Sequence, residues 1–166
     1  MTREHPRPPG GDPARDEQHM REALAEAQAA ALHDDVPVGA IAVAADGVTV
    51  GRGHNRREAD RDPSAHAEVL ALRDLARQVG AWNLEGATIY VTHEPCPMCA
   101  GAIVNARIRR LVFGCDNPKA GAVRSLYRLA DEGKLNHRVE VQGGLLAAEC
   151  GALLSAFFRR LRGEPH

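Results

Sequence analysis

The stretch Val36-Pro37-Val38-Gly39-Ala40-Ile41-Ala42-Val43-Ala44-Ala45-Asp46-Gly47-Val48-Thr49-Val50-Gly51-Arg52-Gly53-His54 decides the fold class. Val36 to Ala45 is apolar at almost every position, the pattern of a strand covered on both faces. Asp46-Gly47 is a strong hairpin signal, and Val48 to His54 is the returning strand. A strand with no polar face needs helices above and below it, and the flanking sequence supplies them. Glu17 to His33 is alanine-rich, with Met20, Leu24, Ala27 and Ala31 at helical spacing. Beyond a polar loop containing Asp62-Pro63-Ser64, a second helix is predicted from Ala65, with Val69, Leu72, Leu75, Ala76 and Val79 on one side.

Further along, Ala87 to Thr92 reads as a third strand and Pro97 to Ala106 as a short helix with proline in its first turn. Arg110 to Gly114 is a fourth strand, and Arg138 to Gln142 a weaker fifth. The last helix starts near Leu145 and repeats Leu146, Cys150, Leu153, Leu154, Phe157, Phe158 and Leu161 at i, i+3, i+4. No internal repeat interrupts this order. It predicts an α/β fold of three layers, α/β/α, around one mixed, roughly five-stranded sheet. Residues 1–16, with Pro6, Pro8, Pro9, Gly10, Gly11 and Pro13, read as a disordered tail. Residues 17–162 form the domain, and 163–166 a short C-terminal tail.

Composition narrows the function classes. The 166 residues are 44% hydrophobic and 4% aromatic, so the core is built from Ala, Val, Leu and Ile. Lys and Arg number 21 against 22 Asp and Glu, which excludes charge-driven coating of nucleic acid by the whole surface. Basic clusters remain at Arg52, Arg56, Arg57 and Arg61, at Arg107, Arg109 and Arg110, and at Arg159, Arg160 and Arg162. Taken singly, each is no more than a solvated face. No apolar run approaches the roughly 20 residues of a membrane helix, and Met1 to Gln18 has no signal-peptide core. Four cysteines, two of them in one C-x-x-C, are not a secreted disulfide framework. The expectation is a cytoplasmic protein with no membrane partner.

Three features carry chemistry: His66-Ala67-Glu68 at the start of the second helix, Pro95-Cys96-Pro97-Met98-Cys99 at a strand-to-helix junction, and Asn55 after the second strand. A C-x-x-C alone fits a redox pair, half of a structural zinc site or part of a catalytic one. The element order, starting with a helix and a hairpin, disfavours a thioredoxin-like role. A structural zinc site needs four protein ligands, and Cys115 and Cys150 are isolated, while nothing in the spacing of His137 recommends it. His66, Cys96 and Cys99 then leave one coordination position for water, the stoichiometry of catalytic zinc. The cysteines open a helix, where free N–H groups favour thiolates. Glu68, two residues from the ligand His66, is placed to move a proton. Alone it would be an ordinary first-turn carboxylate.

H-x-E followed by P-C-x-x-C is the zinc deaminase signature. With Val36-Pro37-Val38-Gly39-Ala40, Asn55-Arg56, Asp62-Pro63, Met98-Cys99-Ala100-Gly101-Ala102, Val112-Phe113-Gly114, Lys119, Gly121-Ala122, Ser125-Leu126, Asn136-His137-Arg138-Val139 and Phe157-Phe158-Arg159, the chain resembles the bacterial tRNA-specific adenosine deaminases of the zinc-dependent cytidine/deoxycytidylate deaminase superfamily. The likeness spans about residues 17–162. It implies a cytidine deaminase-like fold, one Zn(2+) per subunit, and a homodimer that binds a tRNA anticodon stem-loop. It also implies hydrolytic deamination of the wobble adenosine to inosine: zinc-activated water attacks C6 of a flipped-out base, while Glu68 carries the proton to ring N1 and assists the departure of ammonia.

The same resemblance makes Asn55 and Val38 base-binding residues, Asn117 and Lys119 contacts beside the substrate backbone, and Phe157, Phe158, Arg159, Arg160 and Arg162 an RNA-facing helix end. At Asn117 family members usually carry Asp, well placed to accept from a ribose 2′-OH, so weaker discrimination against single-stranded DNA is expected here. The nearby Asp116 is one residue out of step. Two other readings stay open: a deaminase of free purines or nucleosides such as guanine or cytidine, and a zinc-stabilised binding module without catalysis, which an intact Glu68 and only three clear ligands disfavour.

Overall fold

The structure, a computed structural model, describes residues 11–165. Its elements are α1 (Pro13–Ala31), β1 (Gly39–Val43), β2 (Val50–His54), α2 (Arg57–Asp60), α3 (Ala67–Val79), β3 (Thr88–His93), α4 (Pro97–Asn105), β4 (Arg110–Cys115), β5 (Glu140–Gln142) and α5 (Ala147–Leu161). The five strands make one sheet in the order β2-β1-β3-β4-β5. Strand β1 is antiparallel to β2 and β3, whereas β3, β4 and β5 run parallel. This is the mixed sheet and the three-layer fold expected from the sequence.

All five residues of β1 are buried, as its apolar run requires. Ala40 and Ala42 face the core under α3 and α4, with Ala71, Leu75 and Ile103. Ile41 and Val43 face the other way, onto Met20, Ala23, Tyr90, Val112 and Cys150 beneath α1 and α5. Helix α3 lies close on β2 because β2 offers glycine at its helix-facing positions. A Cβ on Gly53 would stand 2.3 Å from the Ala67 carbonyl oxygen, and one on Gly51 2.4 Å from that of Ala71. That close approach seats the first turn of α3, and with it His66 and Glu68, against the end of β2.

The expected tail ends sooner than residue 16. Helix α1 begins at Pro13, with the Asp12 side chain accepting from the Ala14 N–H. The proline that read as a loop residue occupies the helix position where its missing N–H has no consequence. Asp16, expected in the tail, is buried: it receives two hydrogen bonds from Arg110 at 2.8 Å and one from the Tyr90 hydroxyl at 2.7 Å. The remainder of that expected tail, residues 1–10, lies outside the described residues, as does His166.

Strand β1 is shorter than its apolar run. Val36 to Val38 form a tight turn, with the Val38 N–H bonded to the Val36 carbonyl, and the Asn55 N–H then bonds Val38. Pro37 has no N–H to give a ladder. Helix α2 was not anticipated; buried Asp35 accepts from the N–H groups of Glu58 and Ala59 at 2.8 and 3.2 Å, capping its start. In α5 the apolar stripe is only partly used: Cys150 and Phe157 are buried, while Phe158 and Leu161 are exposed. Among the described residues no helix is long and apolar enough to cross a membrane.

Candidate active site

Because β1 runs against both its neighbours, its start lies beside the ends of β2 and β3, with Gly39 opposite His54 and Ala40 opposite Val91. Helices α3 and α4 begin at this same edge. His66 is the residue before α3, Cys96 the residue before α4, and Cys99 the third residue of α4. Two helix N-termini therefore converge, and the three ligand types predicted from the sequence meet there. The sulfurs of Cys96 and Cys99 stand 3.6 and 3.5 Å from His66 Nδ1. All three ligand atoms lie within 4.8 Å of one another. Tetrahedral zinc, with bonds of about 2.3 Å to sulfur and about 2.05 Å to nitrogen, separates S and N by about 3.6 Å. The donor set and its spacing fit that ion.

The charges agree with such a site. A hydrogen bond from Cys99, opposed by burial and reinforced by His66, brings the Cys96 thiol down to about 4. Cys99 is driven up by sharing its proton with Cys96, by burial and by the carboxyl of Glu68. His66 is raised, first by its bond to Cys96. Two sulfurs holding one proton, next to an imidazole and a buried carboxyl, form a set whose protons a dication displaces. Glu68 is 4% exposed, and burial pushes its carboxyl above the usual range. Its side-chain partner is the Cys99 thiol, 3.4 Å away.

His66, Glu68 and Cys96 line a cavity of about 170 Å³. Val38, Asn55, His66, Glu68, Cys96 and Asn117, all singled out from the sequence, share its wall. Asn55 donates its amide to the Val36 carbonyl at 3.3 Å, while its Oδ1 is buried without a partner. A buried acceptor left open toward a cavity is a position for a ligand donor. Asn117 Oδ1 accepts from the Ala120 N–H at 3.1 Å. Lys119 is exposed in the same turn and does not reach the cavity wall.

Sequence reasoning missed Glu94 and His93, which also line the cavity. Glu94 accepts from the N–H groups of Asn117, Val123, Arg124 and Ser125, at 2.9–3.3 Å, and from the Ser125 hydroxyl. Burial opposes its charge, yet the Ser125 hydroxyl and these backbone donors hold the carboxyl below its usual range. It fastens the segment after β4 to the site so closely that a Cβ on Gly121 would fall 2.3 Å from Glu94 Oε2. Glu94 directly precedes the quoted Pro95-Cys96-Pro97-Met98-Cys99 run, but its partners are distant in sequence and left no local signal. His93 ends β3 opposite Cys115.

The C-terminal assignments are corrected in part. Phe157 is 5% exposed and belongs to the packing of α5, so it offers no face to RNA. Phe158 is exposed, edge-on to it. Arg160 pairs with Asp34 at 3.3 Å and Arg162 with Glu164 at 2.7 Å, while Arg159 is exposed. The Arg160–Asp34 contact sets the end of α5 beside the turn that leads into Val36 of the cavity wall. His137 donates to the Ile108 carbonyl at 2.7 Å, a structural role, and Cys150 is a buried core thiol, with Cys115 half-buried beside it. A cavity of about 200 Å³ beside Asp16 and Arg110 lies at the far ends of β1 and β3 and contains none of the predicted site residues.

Residues 14–162 match the MafB19-like deaminase family. The tRNA-specific adenosine deaminase of Bacillus subtilis (strain 168) is 48% identical over 147 residues, covering 89% of this chain and 91% of its own. A solved structure of a tRNA:A34 deaminase, described for A-to-I editing at the wobble position of transfer RNA, superposes with a TM-score of 0.79 at 42% identity, covering 82% of this chain and 99% of that one. The guanine deaminase of Nitrosomonas europaea superposes with a TM-score of 0.66 at 23% identity, covering 93% of this chain and 88% of its own, a likeness of fold.

Proposed function

This chain belongs to the MafB19-like deaminase family and to its tRNA-specific adenosine deaminases, and from that premise we propose that it converts adenosine to inosine at the wobble position of a tRNA anticodon by hydrolytic deamination. The observation that carries the reading is the buried Glu68 beside a His/Cys/Cys set with tetrahedral spacing, in a cavity where Asn55 keeps an unpaired acceptor.

His66, Cys96 and Cys99 would hold one zinc ion per subunit. When bound, that ion supplies the Lewis acidity that makes water nucleophilic near neutral pH. Glu68 takes the proton released by water, delivers it to ring N1 and assists the exocyclic amine as ammonia leaves. The new bond is C6–O, and the bond broken is C6–N6. Asn55 Oδ1 accepts from the base, and Val38 and the His66 ring wall it. Glu94 holds the Asn117–Ser125 segment as the opposite wall.

The RNA stem-loop approaches over the rim near Asn117, Lys119 and the end of α5, with Phe158, Arg159, Arg160 and Arg162 available to it. Homodimerisation belongs to the same reading. An apolar hollow of about 330 Å³ between α3 and α4, with Trp82 68% exposed, is surface of the kind a subunit interface covers. The reading also places the enzyme in the cytoplasm, where its tRNA is found.

Ammonia release tests the function. An anticodon stem-loop bearing adenosine at the wobble position is compared with free adenosine, cytidine and guanine, with zinc measured in the same preparation. Turnover of the stem-loop alone, at one zinc per chain, is expected. Preferential turnover of a free base or nucleoside would replace tRNA editing with the small-molecule alternative, and no turnover of any substrate would favour the binding module.

A further inference from the structure

Arg57, the first residue of α2, has no part in the chemistry above. Among the described residues that line the cavity it is the one lysine or arginine, and it is also the one exposed residue. The wall therefore meets solvent at a guanidinium. Other arginines of the same cluster are placed differently. Arg56 gives Asp60 three hydrogen bonds at 2.9–3.1 Å, Arg52 pairs with Glu22 at 3.1 Å, and Arg61 is absent from the wall. Arg57 has no ion pair or side-chain hydrogen bond among the described residues. Neither carboxylate of the wall bonds it: Glu94 is taken up by the Asn117–Ser125 segment, and Glu68 by the Cys99 thiol.

The backbone that carries this charge is held. The Arg57 carbonyl accepts from the Asp62 N–H at 3.1 Å, and the next two N–H groups, of Glu58 and Ala59, bond the buried Asp35 carboxylate. Asn55, with its open acceptor, is only two residues away. An unpaired guanidinium is a planar fork of donors that matches phosphate oxygens. Within an RNA strand the target ribose carries a phosphodiester on each side, each with one negative charge. A base that enters the cavity brings those charges to the place where the wall meets solvent; a free base or nucleoside brings none.

We propose that Arg57 is a specificity-determining residue that binds a phosphodiester adjoining the target adenosine, and so favours a polynucleotide over a free nucleoside. The inference rests on the tRNA-editing reading. Three stem-loops test it: the natural one, and two with a single neutral methylphosphonate, on the 5′ or the 3′ side of the target. Each is assayed against wild type, Arg57→Ala and Arg57→Lys. On the natural stem-loop Arg57→Ala should lower kcat/KM about tenfold, the loss of one charged hydrogen-bonded contact, and flatten the salt dependence of binding by about one unit. Arg57→Lys, which keeps the charge without the fork, should recover part of that loss. On at least one methylphosphonate stem-loop the gap between wild type and Arg57→Ala should close. Zinc content is expected to match in all three proteins. A gap that persists in full on both methylphosphonate stem-loops, or no gap on the natural one, would overturn the assignment while leaving tRNA editing intact. A wild type inactive on the natural stem-loop would overturn the functional reading, and this inference with it.

Discussion

Glu68, in the first turn of α3, and Glu94, just past β3, line one cavity at 4% and 2% exposure, but their surroundings differ in kind. Glu94 is met by four backbone N–H groups and a hydroxyl; Glu68 has a thiol as its side-chain partner. Burial disfavours charge on both. For Glu94 the donors outweigh burial and its carboxyl falls below the usual range, whereas for Glu68 burial prevails and the carboxyl rises. A carboxylate with every lone pair engaged is a fastener. One with few donors, beside a cluster of ligand type, can take and return a proton. The hydrogen-bond inventory separates the roles where residue type and depth do not.

The sharpest way to break the comparison is at Glu68. Glu68→Gln keeps size and burial but cannot carry the proton, and single-turnover inosine formation should fall by about 10²–10⁴. Zinc content, thermal stability and stem-loop affinity should hold. Near-normal turnover would hand the proton to another group and remove the distinction.

Glu94→Gln should show the other pattern. An amide in place of the carboxylate turns an NH₂ toward groups that are themselves donors, at an expected loss of roughly 2–3 kcal/mol in urea unfolding at pH 7. The folded-state value of Glu94 is depressed, so its contribution is fully present above about pH 4.3 and is lost as pH falls through that lower value. The stability gap between wild type and variant should therefore close on acidification. A gap that persists unchanged at pH 2 would mean that packing, and not charge, holds the segment.

Sequence patterns exposed one of these glutamates and hid the other, for a physical reason. Glu68 is readable because its partner His66 is two residues away and the Cys96–Cys99 spacing belongs to one helical turn. The partners of Glu94 begin at Asn117 and end at Ser125. Only the folded sheet brings them together. The sheet was legible from the apolar run of β1 and the Asp46-Gly47 turn, but the start of α1 was not, because Asp16 is held by Arg110 and Tyr90 across the fold. In α5, spacing marked Phe157 and Phe158 alike; packing buries the first and leaves the second exposed.

The end of α5 supplies a weaker contrast, charges outside the cavity against those within it. Replacing Arg159, Arg160 and Arg162 by Ala should weaken stem-loop binding and flatten its salt dependence by no more than about one unit per arginine. The change should fall short of three full contacts, because Arg160 and Arg162 already have carboxylate partners. Turnover at saturating substrate should hardly move. An unchanged salt slope would place phosphate contacts elsewhere.

The smallest expected effect lies at Asn117, whose backbone is one of the four that Glu94 holds. Family resemblance puts an aspartate here, and a charged acceptor for a ribose hydroxyl is worth about 1.5–3 kcal/mol against about 0.5–1.5 for a neutral one. The asparagine oxygen is already bonded to the Ala120 N–H, which leaves it a weaker partner still. Asn117→Asp can keep that bond and add charge, so the ratio of RNA to DNA deamination should rise by about fivefold, the equivalent of roughly 1 kcal/mol. The competing account is that Asp116 does this work. Its side chain is exposed and absent from the cavity wall, whereas Asn117 lies on it. Asp116→Ala should therefore leave the ratio unchanged. A ratio that falls with Asp116→Ala and ignores Asn117→Asp would transfer the contact to Asp116, and the Glu94-held wall would then be a support that does not itself touch the sugar.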